Sequence, residues 1–188
     1  IKMLHRYGYA SKSHWTKYLG GTPVADSLIG IKYVISNGKT ENQVLRELFY
    51  DAEHDYYVYE NPYALSLAFA ANAKAAELEI TDYESPLELM NALTAAITGA
   101  DDTALFSTDY KNIDTGFTSK HRKYSKKNEG SPATIEYTVS VPGGKPIYMS
   151  IPTDYPRECN LKVDGVSKGT CLGNETDRVI YLGIFDAD

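Results

Sequence analysis

The segment from Gly20 to Ser36 reads GGTPVADSLIGIKYVIS, and its parts decide the fold. Gly20-Gly21-Thr22-Pro23 is a cluster of structure-breaking residues, and Asp26-Ser27 is a pair whose side chains can cap a turn. Gly30 permits a close backbone approach, and Ile31, Tyr33, Val34 and Ile35 form a β-branched and aromatic run of strand length. The expectation is a turn, a short helical or bent entry, and then a strand packed on both faces, with Lys32 snorkelling to an edge.

Working upstream, Met3, Leu4 and Tyr7 sit at helical spacing until Gly8, which predicts a short N-terminal helix. Trp15 and Tyr18 read as aromatic anchors beside a core, while His5 and His14 stand at no metal-ligand spacing from a Cys or carboxylate. Downstream, Asn37-Gly38 marks a turn, and Val44, Leu45, Leu48 and Phe49 repeat at helical spacing, predicting one or two helical turns. Residues 51–55, DAEHD, read as a solvated acidic loop, because their spacing offers no ordered oxygen cage for a metal. Alternation predicts a strand over 56–60 and a turn at Asn61-Pro62. Residues 64–71 and 74–80 are expected to form two strands, or one with a bulge near Asn72, against the helical preference of their alanines.

Ser85-Pro86-Leu87-Glu88 combines a capping Ser, a Pro at the first helical position and a Glu three residues after the cap; Gly99 closes the far end. A helix over 86–98 follows, with Leu87, Met90, Leu93 or Ala92, and Ile97 as its apolar stripe. From Thr103 onward short alternating runs recur, at 104–108, 133–141, 146–151, 158–163, 167–172 and 178–185, with turns at Pro142-Gly143-Gly144 and Asp164-Gly165. The fold class expected is therefore α+β: a small mixed part over 1–100, then an antiparallel, jelly-roll-like β-sandwich over 101–188. The strand wording at 135–141, 147–152, 161–165 and 181–185 resembles jelly-roll modules of the carbohydrate-binding kind.

A net charge of -6 argues against a general nucleic-acid binder. Sixteen Tyr favour half-buried strand surfaces and wet interfaces, sugar contacts among them. No apolar run approaches the roughly 18 residues of a membrane span. The chain starts at Ile1 without a leader sequence, so the expectation is a piece of something longer.

Catalytic and cofactor motifs are absent: there is no G-x-S-x-G, H-E-x-x-H, Walker-type loop or C-x-x-C pair, and no metal or cofactor is implied. Asp26, Asp82, Glu84, Asp101 and Asp102 are candidates for acid–base work on a sugar, but no pair has a legible separation, so no catalytic residue is assigned. Cys159 and Cys171 flank the Asp164-Gly165 turn. A three-residue loop, Asp164-Gly165-Val166, puts them opposite one another, and a disulfide in an oxidising compartment is then expected; a two-residue loop puts them out of line. Lys120, Arg122, Lys123, Lys126 and Lys127 form the one basic run, either a solvated loop or a contact for a phosphate-bearing polymer or lipid headgroup, with His121 adding charge only in acid.

Three stretches carry a family resemblance. Asp26-Ser-Leu-Ile-Gly-Ile-Lys-Tyr, then Tyr57-Val-Tyr-Glu-Asn-Pro, then Leu65-Ser-Leu-Ala-Phe resemble the extracytoplasmic part of the YfhO family, multi-spanning membrane proteins of bacteria. The match departs at Ser66, where the family pattern has Pro. The resemblance implies a parent enzyme that transfers a sugar from a polyprenyl-phosphate carrier to a cell-wall polymer such as lipoteichoic acid. Its chemistry would belong to loops between membrane helices, and this non-catalytic part would lie on the outer face of the cell membrane. Its expected partners are the acceptor polymer or glycan and the parent's own membrane helices. The alternatives are a cell-surface carbohydrate-binding or adhesion module with no enzyme attached, and a structural domain that packs on membrane helices and exposes an apolar patch when cut free.

Overall fold

The structure, a computed structural model, describes residues 2–12, 14–40, 42–83, 85–101, 105–107, 130–132, 134, 136, 138–151, 158–172 and 178–186. The N-terminal apolar triplet forms α1 (Lys2–Arg6), which stops at Gly8, where the backbone turns left-handed at φ +82. A side chain at this position would collide with Val179, whose backbone N–H donates to the Gly8 carbonyl at 2.9 Å. A short antiparallel pair, β1 (Ala10–Lys12) and β2 (Trp15–Lys17), follows.

The Gly-Gly-Thr-Pro cluster opens α2 (Pro23–Leu28). Thr22, not the Asp26-Ser27 pair, is the cap: its hydroxyl accepts from the Ala25 N–H at 3.1 Å, and Pro23 takes the first helical position. Asp26 instead turns inward and is buried. After Gly30, β3 (Tyr33–Ser36) lies at the edge of a three-stranded antiparallel sheet of order β3-β5-β4, with β4 at Arg46–Asp51 and β5 at Tyr56–Glu60. The expectation of burial on both faces fails there, since Tyr33 is 57% and Ile35 68% exposed. An edge strand with one uncovered face has no second layer to bury those side chains. The helix expected from Val44, Leu45, Leu48 and Phe49 is likewise replaced by β4, which pairs with β5 across a bulge between Glu47 and Phe49. Strands expected over 64–71 and 74–80 do not form: the chain runs irregularly into 3-10 turns at Ala73–Ala76 and Ile80–Asp82.

Helix α3 (Pro86–Thr98) forms as the sequence dictates. The Ser85 hydroxyl accepts from the Glu88 N–H at 3.2 Å, and Gly99 ends the helix in the left-handed region at φ +76. Its buried face is Leu87, Leu89, Met90 and Ala96, so Leu89 joins the expected stripe. Ser85→Ala removes the cap and should cost about 1 kcal/mol; chemical denaturation checks it, and a loss under about 0.3 kcal/mol would mean that packing alone holds the first turn.

Beyond residue 101 the described chain is antiparallel β. The strand β6 (Pro146–Ile151) pairs with β9 (Arg178–Ile184), and β7 (Glu158–Val163) pairs with β8 (Val166–Leu172). Of 104–108 and 133–141, the described residues show a bend at Leu105-Phe106 and an isolated bridge at Val139. The class is α+β, as expected, with four small antiparallel sheets among the described residues. One core joins the two halves of the sequence: Tyr7, Tyr9, Ala25, Leu89, Met90 and Val179 pack together, with Phe106 and Tyr148 against them. The Arg178 guanidinium reaches the Thr170 carbonyl at 2.9 Å and ties β9 to β8.

Candidate functional site

The stretches that carry the family resemblance meet in space. Asn61, which follows β5, is buried; its amide donates to the Ser27 hydroxyl at 3.2 Å and the Ile31 carbonyl at 3.1 Å, and its oxygen accepts from the Tyr63 N–H at 3.0 Å. The Leu65 N–H donates to the Ser27 carbonyl at 3.0 Å. At Gly30, φ +75, a side chain would press on the Leu65 carbonyl, so this glycine allows the close approach the sequence suggested.

Asp26 is the centre of that knot. Only 1% of it is exposed, and its two carboxylate oxygens accept from the Tyr9 hydroxyl at 2.5 Å and the Tyr18 hydroxyl at 2.8 Å. Gly21 lies so close that a Cβ would overlap Asp26 and the Tyr9 ring. Burial pushes the Asp26 carboxyl above its ordinary range, and the two tyrosine hydrogen bonds pull it part of the way back. Burial raises both phenols, and the carboxylate beside them raises them further. This is a clamp: it locks α2 against the residue before β1 and the one after β2, and its carboxylate oxygens are both occupied by phenols. Tyr9, Tyr18 and Gly21 carry no sequence signal that pairs them with Asp26.

Two surfaces are open. The outer face of the β3-β5-β4 sheet presents Tyr33, Ile35, Phe49 and Tyr56, all exposed, with the Arg46–Glu60 ion pair beside them. Its opposite face carries a tyrosine row, Tyr50 against Tyr57 at 4.5 Å and Tyr57 against Tyr59 at 6.2 Å between ring centroids. The second surface is a cleft of about 380 Å³ between the β7–β8 hairpin, β9 and Gln43 from the loop before β4. Tyr181 and Phe185 supply rings; Gln43, Asp164 and Lys168 supply polar groups. Gly183, at φ +137, adopts a backbone conformation that favours glycine, and the Phe185 ring and Lys168 ammonium lie in ordinary contact range of it. Sequence reading missed this cleft because its residues come from distant elements.

The cysteines face each other by a route the sequence did not predict. The hairpin turn is the two-residue Asp164-Gly165, with φ +49 and +80, and Val163 pairs with Val166. A bulge at Lys168 then inserts one residue, so that Leu161 faces Gly169 and Cys159 faces Cys171. Cys159 is exposed and Cys171 buried.

The basic residues Lys120, Arg122, Lys123, Lys126 and Lys127 lie outside the described residues, as do Glu84 and Asp102. Asp82 sits in the second 3-10 turn, and Asp101 is paired with Lys74 at 3.2 Å, so neither joins Asp26. Within 51–55, Asp51 accepts from the backbone of Glu53 and His54 and pairs with the His54 ring at 2.9 Å, which keeps its carboxyl below the ordinary range. Among the described residues no group of three His, Cys, Asp or Glu converges as a metal site.

No described helix is long and apolar enough to cross a membrane. No curated protein and no solved structure matches the chain. The model of the family described as bacterial membrane protein YfhO matches residues 1–187, and the chain belongs to that family.

Proposed function

We propose that this chain is the extracytoplasmic part of a YfhO-type membrane glycosyltransferase, and that it holds the sugar- and phosphate-bearing acceptor polymer while the chemistry proceeds elsewhere in the parent protein. The observation that carries this reading is the cleft beside β9. This open cleft of about 380 Å³ has room for a sugar unit. Phe185 can offer its ring to a pyranose, with Tyr181, whose ring also packs on Tyr148 at 5.4 Å, beside it; Asp164 and Gln43 can exchange hydrogen bonds with its hydroxyls, and Lys168 can meet a phosphodiester. The run at Lys120, Arg122, Lys123, Lys126 and Lys127 would add a second phosphate contact.

The test is an NMR titration of the labelled chain with short glycerol-phosphate oligomers, bare and glycosylated, at low and moderate salt. Shifts should cluster on β9 and the β7–β8 hairpin and weaken as salt rises. Phe185→Ala should lower affinity for the glycosylated oligomer roughly tenfold, the worth of one well-stacked ring. Lys168→Gln should flatten the salt dependence. Absence of shifts at millimolar oligomer, or equal affinity in the Phe185→Ala variant, would remove the cleft as the acceptor site.

A further inference from the structure

Residues 62–73, PYALSLAFAANA, contain no charged side chain, and every residue from Leu65 to Lys74 is exposed. Leu67 is fully exposed, and Tyr63 and Phe69 stand out on either side of it. A soluble surface loop is ordinarily polar, so twelve uncharged residues held in water incur a hydrophobic penalty that some partner must relieve.

The loop is also held at both ends. At its start, Asn61 is fastened to Ser27 and Ile31, and the Leu65 N–H to Ser27. At its end, the Asn72 N–H donates to the Ile97 carbonyl at 2.9 Å, its side chain accepts from the Lys74 N–H at 3.0 Å, and a side chain at Gly99 would strike it. Between these anchors the Ser66 hydroxyl closes a tight turn onto the Ala68 carbonyl at 2.6 Å, which projects Leu67 outward. Ordering such a loop ahead of contact lowers the entropy lost on docking.

We infer that this loop is a membrane-docking wedge whose occupant is the headgroup–acyl boundary of a lipid bilayer. Three features choose the bilayer over a polar partner. The chain belongs to a family of bacterial membrane proteins. The wedge pairs aliphatic Leu65 and Leu67 with aromatic Tyr63 and Phe69, the mixture that settles at the interface, where rings sit among headgroups and alkyl chains below them. Its lack of charge avoids the cost of burying an ion in that layer. The wedge rests on family membership and on the loop's own residues, and is independent of the acceptor cleft.

The experiment is sedimentation of the chain with extruded phosphatidylcholine vesicles, and in parallel with vesicles containing phosphatidylglycerol, at low salt and at 0.5 M salt (about a 4 Å screening length). The native chain should bind phosphatidylcholine vesicles at millimolar lipid, with little change in high salt. The exposed double variant Leu67→Asp, Phe69→Asp should bind roughly tenfold or more weakly while unfolding at the same temperature. A Leu67→Trp probe in a Trp15→Phe background should shift its emission to the blue on adding vesicles. No binding to phosphatidylcholine would overturn the wedge, as would binding confined to anionic vesicles and abolished by salt, which would assign the contact to basic side chains. Equal binding by the double variant would also overturn it, and so would self-association of the native chain that the double variant loses without any vesicle binding, which would make a second copy the occupant.

Discussion

Asp26→Ala is expected to cost about 3 kcal/mol, lowering the unfolding temperature by roughly 6–12 °C, whereas Asp26→Asn should stay within about 1 kcal/mol of the native chain at neutral pH. Alanine would leave the buried Tyr9 hydroxyl without an acceptor and would open a gap beneath α2; Tyr18, partly exposed, finds water more easily. A buried polar group stranded in this way costs about 1–3 kcal/mol. Asparagine keeps the shape and removes the charge, and a hydroxyl can rotate to accept from its amide.

The sign of the pH dependence follows from the same geometry. The folded state raises the Asp26 carboxyl above its ordinary value of 3.8. Its contribution to stability is thus fully present below that ordinary value and is lost as pH rises through the higher folded value. The native chain should therefore lose stability relative to the Asp26→Asn variant over that window and run parallel to it at neutral pH. Urea unfolding of the three proteins at pH 7, and of the native chain and the Asn variant from pH 3.5 upward, measures both effects. If Asp26→Asn destabilises as much as Asp26→Ala, the charge itself is what the tyrosines need and the clamp has been misread.

The elements that sequence reasoning recovered are those whose signals are local. Helix α3 was legible end to end, because Ser85, Pro86, Glu88 and Gly99 each act within a few residues of their own position. The hairpin of β7 and β8 was legible from Asp164-Gly165 for the same reason. What failed depended on partners. Val44, Leu45, Leu48 and Phe49 satisfy a helical period, but β5 offers hydrogen bonds and the Tyr57 ring to the 46–51 segment, and pairing outweighs a weak period. A strand is expected over 64–71, yet no neighbouring strand pairs with it among the described residues, and an unpaired strand has nowhere to place its backbone hydrogen bonds.

The same division separates the sites. Cysteines, a basic run and carboxylates can be counted in a sequence, so they are legible there. The Asp26 clamp and the β9 cleft arise from Tyr9, Tyr18 and Gly21 in one case and from Gln43, Lys168 and Phe185 in the other, residues that are unremarkable until the fold brings them together. In the sequence Asp26 suits a turn cap beside Ser27, and as one of several carboxylates it is a candidate for acid–base work; neither reading contains its burial. Its burial follows from Thr22 taking the cap position, which rotates Asp26 onto the inner side of α2.

Oxidation of Cys159 and Cys171 to a disulfide is expected to stabilise the chain by up to about 3 kcal/mol, the worth of closing a loop of this hairpin's length. The register supports it: the two residues are direct partners in the β7–β8 ladder once the bulge at Lys168 has offset the two-residue turn. Direct cross-strand neighbours hold their Cβ atoms ~4.5–5.5 Å apart, and a disulfide needs ~3.5–4.5 Å, so the strands must draw in and part of the gain goes to strain. With Cys159 exposed, an oxidant or a mixed disulfide can reach the pair from the solvent side. The check is a thiol count and an intact-mass measurement after incubation in oxidising glutathione buffer, followed by thermal unfolding with and without reductant. The oxidised chain should lose two hydrogens in mass and melt roughly 5–10 °C higher, and Cys159→Ser should abolish both changes. Two titratable thiols persisting after oxidation would place the pair outside bonding geometry. A bond that forms without raising the melting temperature would show that strain at the bulge consumes the gain, and deletion of Lys168, which removes the bulged residue and leaves Cys159 opposite Cys171, should then recover it.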